Sequence, residues 1–240
     1  MTDNQFLDTL SNSFKVFLET GSRSNKKLKV LHAAIAKDIK ERLGSMYYIH
    51  SLDESGGREA KIQGRYINKN VDITISEDKE AKKSIAGIGV KFVMQNYNQN
   101  SNNYFENMLG ETVNIRAKNI PYFQIFIVPD KLPYYTKGGV IKKMEKFLAH
   151  HAKKYFSLAS DDPDCYIHTP NKTLLYIISL PAINVELKTT KKAEYYNFYK
   201  NLYPLIIKKS TMNYGDFEKS VIFNDYEKFI NKICHHIKSI

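Results

Sequence analysis

Two short apolar stretches in the first half of the chain each carry one charged residue in an otherwise hydrophobic run. The first, Val71–Ser76, contains Asp72, and the second, Ile85–Met94, contains Lys91. Both have the length and composition of β-strands bounded by turns. A charge inside such a strand is costly to bury without an anionic or cationic partner. The pair therefore predicts a functional site, a buried Asp72–Lys91 ion pair, or two charges on edge strands.

Hydrophobic periodicity predicts helices at the start of the chain and strands in its middle. One helix is expected to end at Gly21, and a second, capped by Ser24 or Asn25, is expected to end at Gly44. Further segments are predicted by spacing and by bounding prolines or glycines. Strands are predicted at 46–51, 62–67, 71–76, 85–94, 121–129 and 173–180, and helices at 102–116 and 140–154, with a mostly helical segment from 191 to 240.

This order of elements predicts an α/β protein with a mixed central sheet flanked by helices. At 240 residues the chain can bury one substantial core. We expect a single domain over 1–240, with its core at about 25–180. A helix at 4–20 would precede this core, and a helical region at 190–240 would follow it.

The chain is strongly basic, with 36 lysines and arginines against 25 acidic residues and a formal charge of +11. Such an excess attracts nucleic acids or anionic membranes, although a lysine-rich composition typical of AT-rich genomes would produce the same number. The longest apolar runs are too short to cross a bilayer, and the polar N-terminus lacks the features of a signal peptide. We therefore expect a cytoplasmic protein that does not bind membranes.

Glu106 extends the charged pair to a group that could support hydrolysis. It lies in the predicted helix that follows Lys91 after a polar linker. Hydrolysis of a phosphodiester needs an activated water and a metal held by carboxylates. Magnesium prefers oxygen ligands, and a nearby lysine can stabilise the charge that develops on phosphate. Asp72, Lys91 and Glu106 are therefore candidate catalytic residues.

The arrangement resembles the PD-(D/E)XK nuclease superfamily, and within it the type II restriction endonucleases, over residues 60 to 130. Asp72 matches the family aspartate and Lys91 the family lysine, while Gly89 stands where the second acidic residue is expected. Some members carry this glutamate on the following helix, at a distance that Glu106 matches. The resemblance implies a restriction-endonuclease-like core with Asp72, Glu106 and the Val90 carbonyl as metal ligands.

The same resemblance implies cofactors and partners. Mg²⁺ is the expected metal, with Mn²⁺ able to substitute for it, and double-stranded DNA is the expected substrate. A homodimer is expected if both strands are cut at a palindrome. Two rival hypotheses remain: a nucleic-acid-binding protein of the same fold that has lost activity, as the glycine at position 89 would suggest, and an interaction protein whose charge is only compositional.

Other side chains are weaker candidates for the same site. Glu111 is an alternative to Glu106, although it points about a third of a turn away, and Glu41 is a candidate second-metal ligand or a partner of a surface lysine. The histidines do not suggest a metal site, because His50 and His168 have no companion at ligand spacing and the adjacent pairs point apart on a helix. Candidate DNA contacts are Gln95, Asn96, Asn98, Gln99, Asn102, Arg65, Arg116 and Lys131.

Overall fold

The computed structural model describes residues 1–21, 24–217 and 219–240. The helices in these ranges are α1 Asp3–Thr20, α2 Lys26–Leu43, α3 Tyr97–Arg116, α4 Ala149–Ser160, α5 Lys192–Asn201 and α6 Tyr226–Lys238. The strands are β1 Tyr48–Ser51, β2 Ala60–Gln63, β3 Asn68–Val71, β4 Ile73–Ser76, β5 Ser84–Phe92, β6 Tyr122–Pro129, β7 Lys131–Tyr135, β8 Ile141–Lys146, β9 Lys172–Ser179, β10 Lys208–Lys209 and β11 Val221–Phe223.

A seven-stranded mixed sheet forms the centre of the protein. Its order is β1-β4-β5-β6-β9-β10, and β11 also pairs with β9. The pairs β1–β4 and β4–β5 are antiparallel, whereas the pairs β5–β6 and β6–β9 are parallel. The predicted α/β fold with a mixed central sheet flanked by helices is confirmed.

Strand alternation divides the apolar side chains between the two faces of this sheet. Ile88, Val90 and Phe92 of β5 belong to a core that also contains buried residues of α1, α2, α5 and α6. Phe126 and Val128 of β6 belong to a second core with α3 and α4. Lys91 alternates with the first set, so it lies on the face covered by α3.

The boundaries of the first two helices agree with the sequence prediction, and Gly21 and Gly44 follow them with positive φ. The predicted helix at 140–154 is wrong. Residues Ile141–Lys146 form β8, which pairs antiparallel with β7, and α4 begins only at Ala149. The buried Ile141 and Glu145 are four residues apart, a spacing that imitates a helix. A turn at Gly139, with φ of 76°, instead folds this segment back as a hairpin.

Further boundaries differ from the prediction. The strand predicted at 62–67 ends at Gln63, and the residues after it form the turn between β2 and β3. The helix predicted from residue 102 begins at Tyr97, so most of the expected polar loop belongs to α3. The segment after residue 190 contains α5 and α6, but its middle holds the short strands β10 and β11 rather than helix. No helix within the described ranges has the length and apolar character needed to cross a membrane.

Candidate metal centre

Asp72 occupies the break between β3, which belongs to a two-stranded hairpin with β2, and β4, which belongs to the central sheet. The pairing of β4 with β5 starts at Ile73 opposite Ile88, so β4 offers Val90 no backbone partner. The Val90 N–H instead donates a hydrogen bond of 2.7 Å to Asp72 Oδ2. This bond fixes the carboxylate beside the strand that carries Lys91.

Lys91 shares a cavity with Asp72 at the carboxyl end of β5. The walls of this cavity also include Gly89, Glu111 and Gln124. Lys91 Nζ lies 4.2 Å from the centre of the Tyr104 ring, a cation–π contact that orients the ammonium group. Burial lowers the pKa of Lys91, and the neighbouring charges of Asp72 and Glu111 oppose that shift. Asp72 and Lys91 therefore converge on one site.

Glu111 supplies the second carboxylate of this cavity. Tyr122 donates a hydrogen bond of 3.1 Å from its hydroxyl to Glu111 Oε2, and Lys69 Nζ lies 2.5 Å from Glu111 Oε1. Tyr122 is buried on β6, and Lys69 lies on β3. The carboxylate is therefore held from both the central sheet and the β2–β3 hairpin.

Glu106 does not join this group, in contrast to the sequence hypothesis. It is exposed and absent from the cavity wall. Its charge instead acts on Lys154 of α4, where it opposes the lowering of the Lys154 pKa by burial. Each helical residue turns the chain by about 100°, so Glu106 and Glu111 point about 140° apart. The inward side of α3 carries Tyr104, Met108 and Glu111. The structure thus places the alternative residue, Glu111, beside Asp72 and Lys91.

Gly89 lies on the same strand face as Lys91, opposite Gln124 of β6. A Cβ atom at position 89 would overlap the Tyr122 hydroxyl and the Gln124 side-chain oxygen. The space that a glutamate would need at this position is therefore filled from β6. The carboxylate reaches the cavity from α3 instead.

A second set of potential ligands meets Asp72 from the α2 side. One ligand atom each from His32, Glu59 and Asp72 lies within 4.8 Å of the others. His32 is fully buried, and neither of its ring nitrogens has a hydrogen-bond partner among the described residues. Burial lowers the pKa of His32 to about 4, so the ring is neutral at physiological pH. Neutral imidazole is the form that binds metals.

The sequence hypothesis did not include His32, and it ranked Glu59, in the loop before the strands, below Glu41 as a candidate. A signal for His32 was nevertheless present, because it lies four residues after Leu28 and three before Ile35, on the apolar side of α2. A polar side chain on such a stripe needs a partner. Its partners, Glu59 and Asp72, come from distant segments and could be identified only in the folded chain.

Burial and the neighbouring carboxylates disfavour the charged forms of Asp72 and Glu59. Burial is the main cause that raises the pKa of Asp72 to about 6, with Glu111 adding to it and the Val90 N–H, Lys69 and Lys91 opposing it. Burial and the charge of Asp72 likewise raise the pKa of Glu59. Perturbed groups of this kind cluster at functional sites, and a divalent cation would relieve their repulsion.

The other candidate residues lie apart from this centre. Glu41 is exposed and pairs with Lys37 at 3.9 Å, in agreement with its alternative role as a surface ion pair rather than a metal ligand. Arg116 donates to the carbonyls of Pro163, Tyr166 and Thr169, so its guanidinium braces a loop instead of facing solvent.

The predicted DNA contacts of the polar segment also differ in position. Asn96 accepts a hydrogen bond from the Tyr135 N–H, which gives it a structural role, and Gln95 lines the cavity. The remaining candidates are exposed and stay predictions: Asn98, Gln99, Asn102, Arg65 and Lys131.

Comparison with known proteins adds no family assignment. No protein-family model, curated protein or solved structure matches this chain. Its chemistry must therefore be inferred from the side chains that meet around Asp72.

The burial of Asp72 leads to a prediction about stability. Because its pKa is 3.8 ordinarily and about 6 in the fold, the metal-free protein should lose stability as pH rises through this interval. Asp72→Asn removes the buried charge and keeps an acceptor for the Val90 N–H. We expect the variant to be more stable than wild type at pH 8, on the order of 1 to 3 kcal/mol, and no more stable at pH 3. Urea denaturation at both pH values measures this; equal stability at pH 8 would contradict it.

The crowding at Gly89 leads to a second prediction. Gly89→Ala should destabilise the protein by about 1 to 3 kcal/mol, because the new methyl group must displace Tyr122 or Gln124. Gly110 on α3 provides the matched control, since a Cβ there meets nothing within 4 Å. Gly110→Ala should stabilise the helix by up to about 1 kcal/mol. Thermal melting of both variants tests the contrast. A Gly89→Ala variant as stable as wild type would show that Tyr122 and Gln124 can move aside without cost.

Proposed function

We propose that this protein is a metal-dependent endonuclease that hydrolyses DNA phosphodiester bonds, with a restriction-endonuclease-like core. The convergence of Asp72, Lys91 and Glu111 in one cavity is the observation that carries the proposal. The type II restriction endonucleases are the class that the sequence resembles. The mixed sheet between two helical layers is consistent with that resemblance.

The donor atoms around Asp72 fit a divalent metal ion. Asp72 and Glu111 offer carboxylate oxygens of the kind that Mg²⁺ prefers, and the Val90 carbonyl remains a proposed further ligand. His32 and Glu59 offer a nitrogen and an oxygen on the α2 side, and imidazole suits transition metals better than magnesium. A neutral buried histidine without hydrogen-bond partners among the described residues is otherwise unexplained. We therefore propose Mg²⁺ or Mn²⁺ as the cofactor, with Asp72 shared by both sets of ligands.

Other side chains around the cavity would position the substrate and the candidate metal ligands. A bound divalent cation neutralises charge on phosphate and lowers the pKa of bound water. Lys91, held against the Tyr104 ring, presents its ammonium group to the same cavity, where it can donate a hydrogen bond to a phosphate oxygen or to the attacking water. The Tyr122 hydroxyl and Lys69 hold Glu111 in place.

Basic side chains near this centre support a polyanionic substrate. A groove between α2 and the β1 region is lined by Lys37, Lys40, Arg58 and Lys79 and by a single carboxylate, Asp53. Arg58 directly precedes Glu59 in the chain, so the groove adjoins the candidate metal ligands. Such a row of cations binds the phosphate backbone without regard to sequence. Cleavage of both strands at a palindrome would suit a homodimer, and analytical ultracentrifugation can test for one.

The choice between the two glutamates of α3 gives the sharpest test of this proposal. Wild-type protein should nick or linearise plasmid DNA with Mg²⁺ or Mn²⁺ and stop when EDTA is added. Glu111→Gln should lose at least about 100-fold in rate, because it removes a carboxylate from the site. Glu106→Gln, the matched control on the exposed side of the same helix, should cut as wild type does.

Further outcomes separate the rival hypotheses. Lys91→Met should also be inactive while remaining folded by circular dichroism. Wild-type protein that binds DNA in a salt-dependent manner without cutting it would favour the inactive nucleic-acid-binding protein. If Glu106→Gln were inactive and Glu111→Gln active, the assignment on α3 would be wrong.

His32 provides an independent test of metal binding that does not require turnover. His32→Leu removes two ring nitrogens that lack partners among the described residues, so the metal-free variant should be at least as stable as wild type. Its affinity for Mn²⁺ should fall by more than about tenfold, because loss of even an outer partner of a ligand costs about 10- to 100-fold. Isothermal titration calorimetry with Mn²⁺ measures the affinity, and an unchanged value would remove His32 from the site.

A further inference from the structure

The β2–β3 hairpin connects two of the candidate metal ligands. Glu59 directly precedes β2, Asp72 directly follows β3, and Ala60 pairs with Val71 at the base of the hairpin. Its turn, residues 64–67, forms the hairpin tip. The tip and the metal centre therefore belong to one continuous element.

The buried Asn114 of α3 clamps the backbone of this tip. Its side-chain oxygen accepts hydrogen bonds from the N–H groups of Tyr66 and Ile67, at 2.9 and 3.1 Å, and its amide nitrogen donates to the Ile67 carbonyl at 2.9 Å. The Asn114 carbonyl accepts from the Arg65 N–H at 2.7 Å. A Cβ atom on Gly64 would overlap the Asn114 side chain, so the glycine permits this close approach. Four hydrogen bonds therefore hold the backbone of the tip against α3.

The side chains of the tip nevertheless point away from the protein. Tyr66 is 75% exposed and Ile67 is 64% exposed, and Arg65 beside them is also exposed. A flexible loop could hide such apolar side chains by collapsing, but the clamp prevents it. A fixed turn that presents an aromatic and an aliphatic side chain to solvent is suited to contact a partner.

The position and charge of the hairpin indicate what that partner is. Asn114 lies three residues after Glu111, so its Cα is about 4.5 Å further along the axis of α3. The segment from residue 60 to residue 71 has no acidic residue and carries Lys61 and Arg65, in addition to Lys69, which pairs with Glu111. A phosphate at the cavity would bring the neighbouring nucleotides to this cationic surface. Proteins that bend DNA use arginines and lysines together with apolar side chains that wedge between base steps, and aromatic side chains stack on unpaired bases.

We propose that the hairpin tip contacts the bases of duplex DNA beside the phosphate held at the metal centre. Tyr66 and Ile67 pack against exposed or partly unstacked base faces, and Arg65 neutralises a phosphate next to them. This inference rests on the proposed nuclease function, because it takes its partner from that function. It goes further by assigning base contact to a particular element of the chain.

The test measures DNA binding by fluorescence anisotropy in an Asp72→Asn background, which prevents cleavage. Tyr66→Ala/Ile67→Ala should weaken binding by at least about tenfold, since stacking of one base is worth about 5- to 150-fold. The salt dependence should not change, because no phosphate contact is removed. Arg65→Ala should instead reduce the slope of log affinity against log salt by about one. The fluorescence of 2-aminopurine placed in the duplex should rise when the parent protein unstacks this base, and it should not rise with the double variant.

The control is a double variant of the same residue types elsewhere on the surface. Tyr203 and Ile206 are 91% and 51% exposed and lie between α5 and β10. Tyr203→Ala/Ile206→Ala should bind DNA as the parent does. Circular dichroism should show that every variant is folded, because the changed side chains are exposed.

The outcomes separate this inference from the proposed function. If wild-type protein cuts DNA and the Tyr66/Ile67 double variant in the cleaving background binds and cuts equally well, the tip makes no base contact and the nuclease assignment stands. If wild-type protein binds without cutting and the double variant loses binding, the base contact is supported and the nuclease assignment fails. Absence of DNA binding by the wild type would overturn both.

Discussion

The hydrogen bond from the Val90 N–H to the Asp72 carboxylate joins the central sheet to the candidate metal site. At this point the chain leaves the β2–β3 hairpin and enters the central sheet, and β4 provides no backbone acceptor for Val90. The side chain takes over the role of the missing strand partner. This one bond therefore gives the Val90 N–H an acceptor and places a carboxylate between α2, which brings His32, and α3, which brings Glu111.

Local periodicity was sufficient to identify part of this site. Alternation along a strand predicts that Gly89 and Lys91 share a face, and the structure places both on one cavity. The choice between Glu106 and Glu111 depended on the phase of α3, which the apolar Met108 three residues before Glu111 already indicated. Distance along the chain from Lys91 was therefore a poorer guide than rotation around the helix.

The remaining parts of the site depend on contacts between distant segments. Glu59 and His32 meet Asp72 only because the residues at the base of the hairpin come together with α2 in the folded chain, and no local pattern encodes that meeting. The space beside Gly89 is likewise filled by Gln124 from a parallel strand whose register follows from the whole sheet. Periodicity also failed at 141–146, where a four-residue spacing of buried side chains arose in a hairpin. In each case tertiary pairing decided between local alternatives.

The buried polar groups of the candidate site lower the stability of the fold, and contacts around the site compensate for this. Burial disfavours the charged forms of Asp72 and Lys91, and His32 places two polar nitrogens without partners among the described residues in the core. Groups that destabilise a fold in this way persist when surrounding contacts hold them in place. The hairpin supplies several of these contacts, because Lys69 pairs with Glu111 while Asn114 fixes its tip. The hairpin whose tip is proposed to contact DNA thus also carries two of the candidate metal ligands, Glu59 and Asp72, at its two ends.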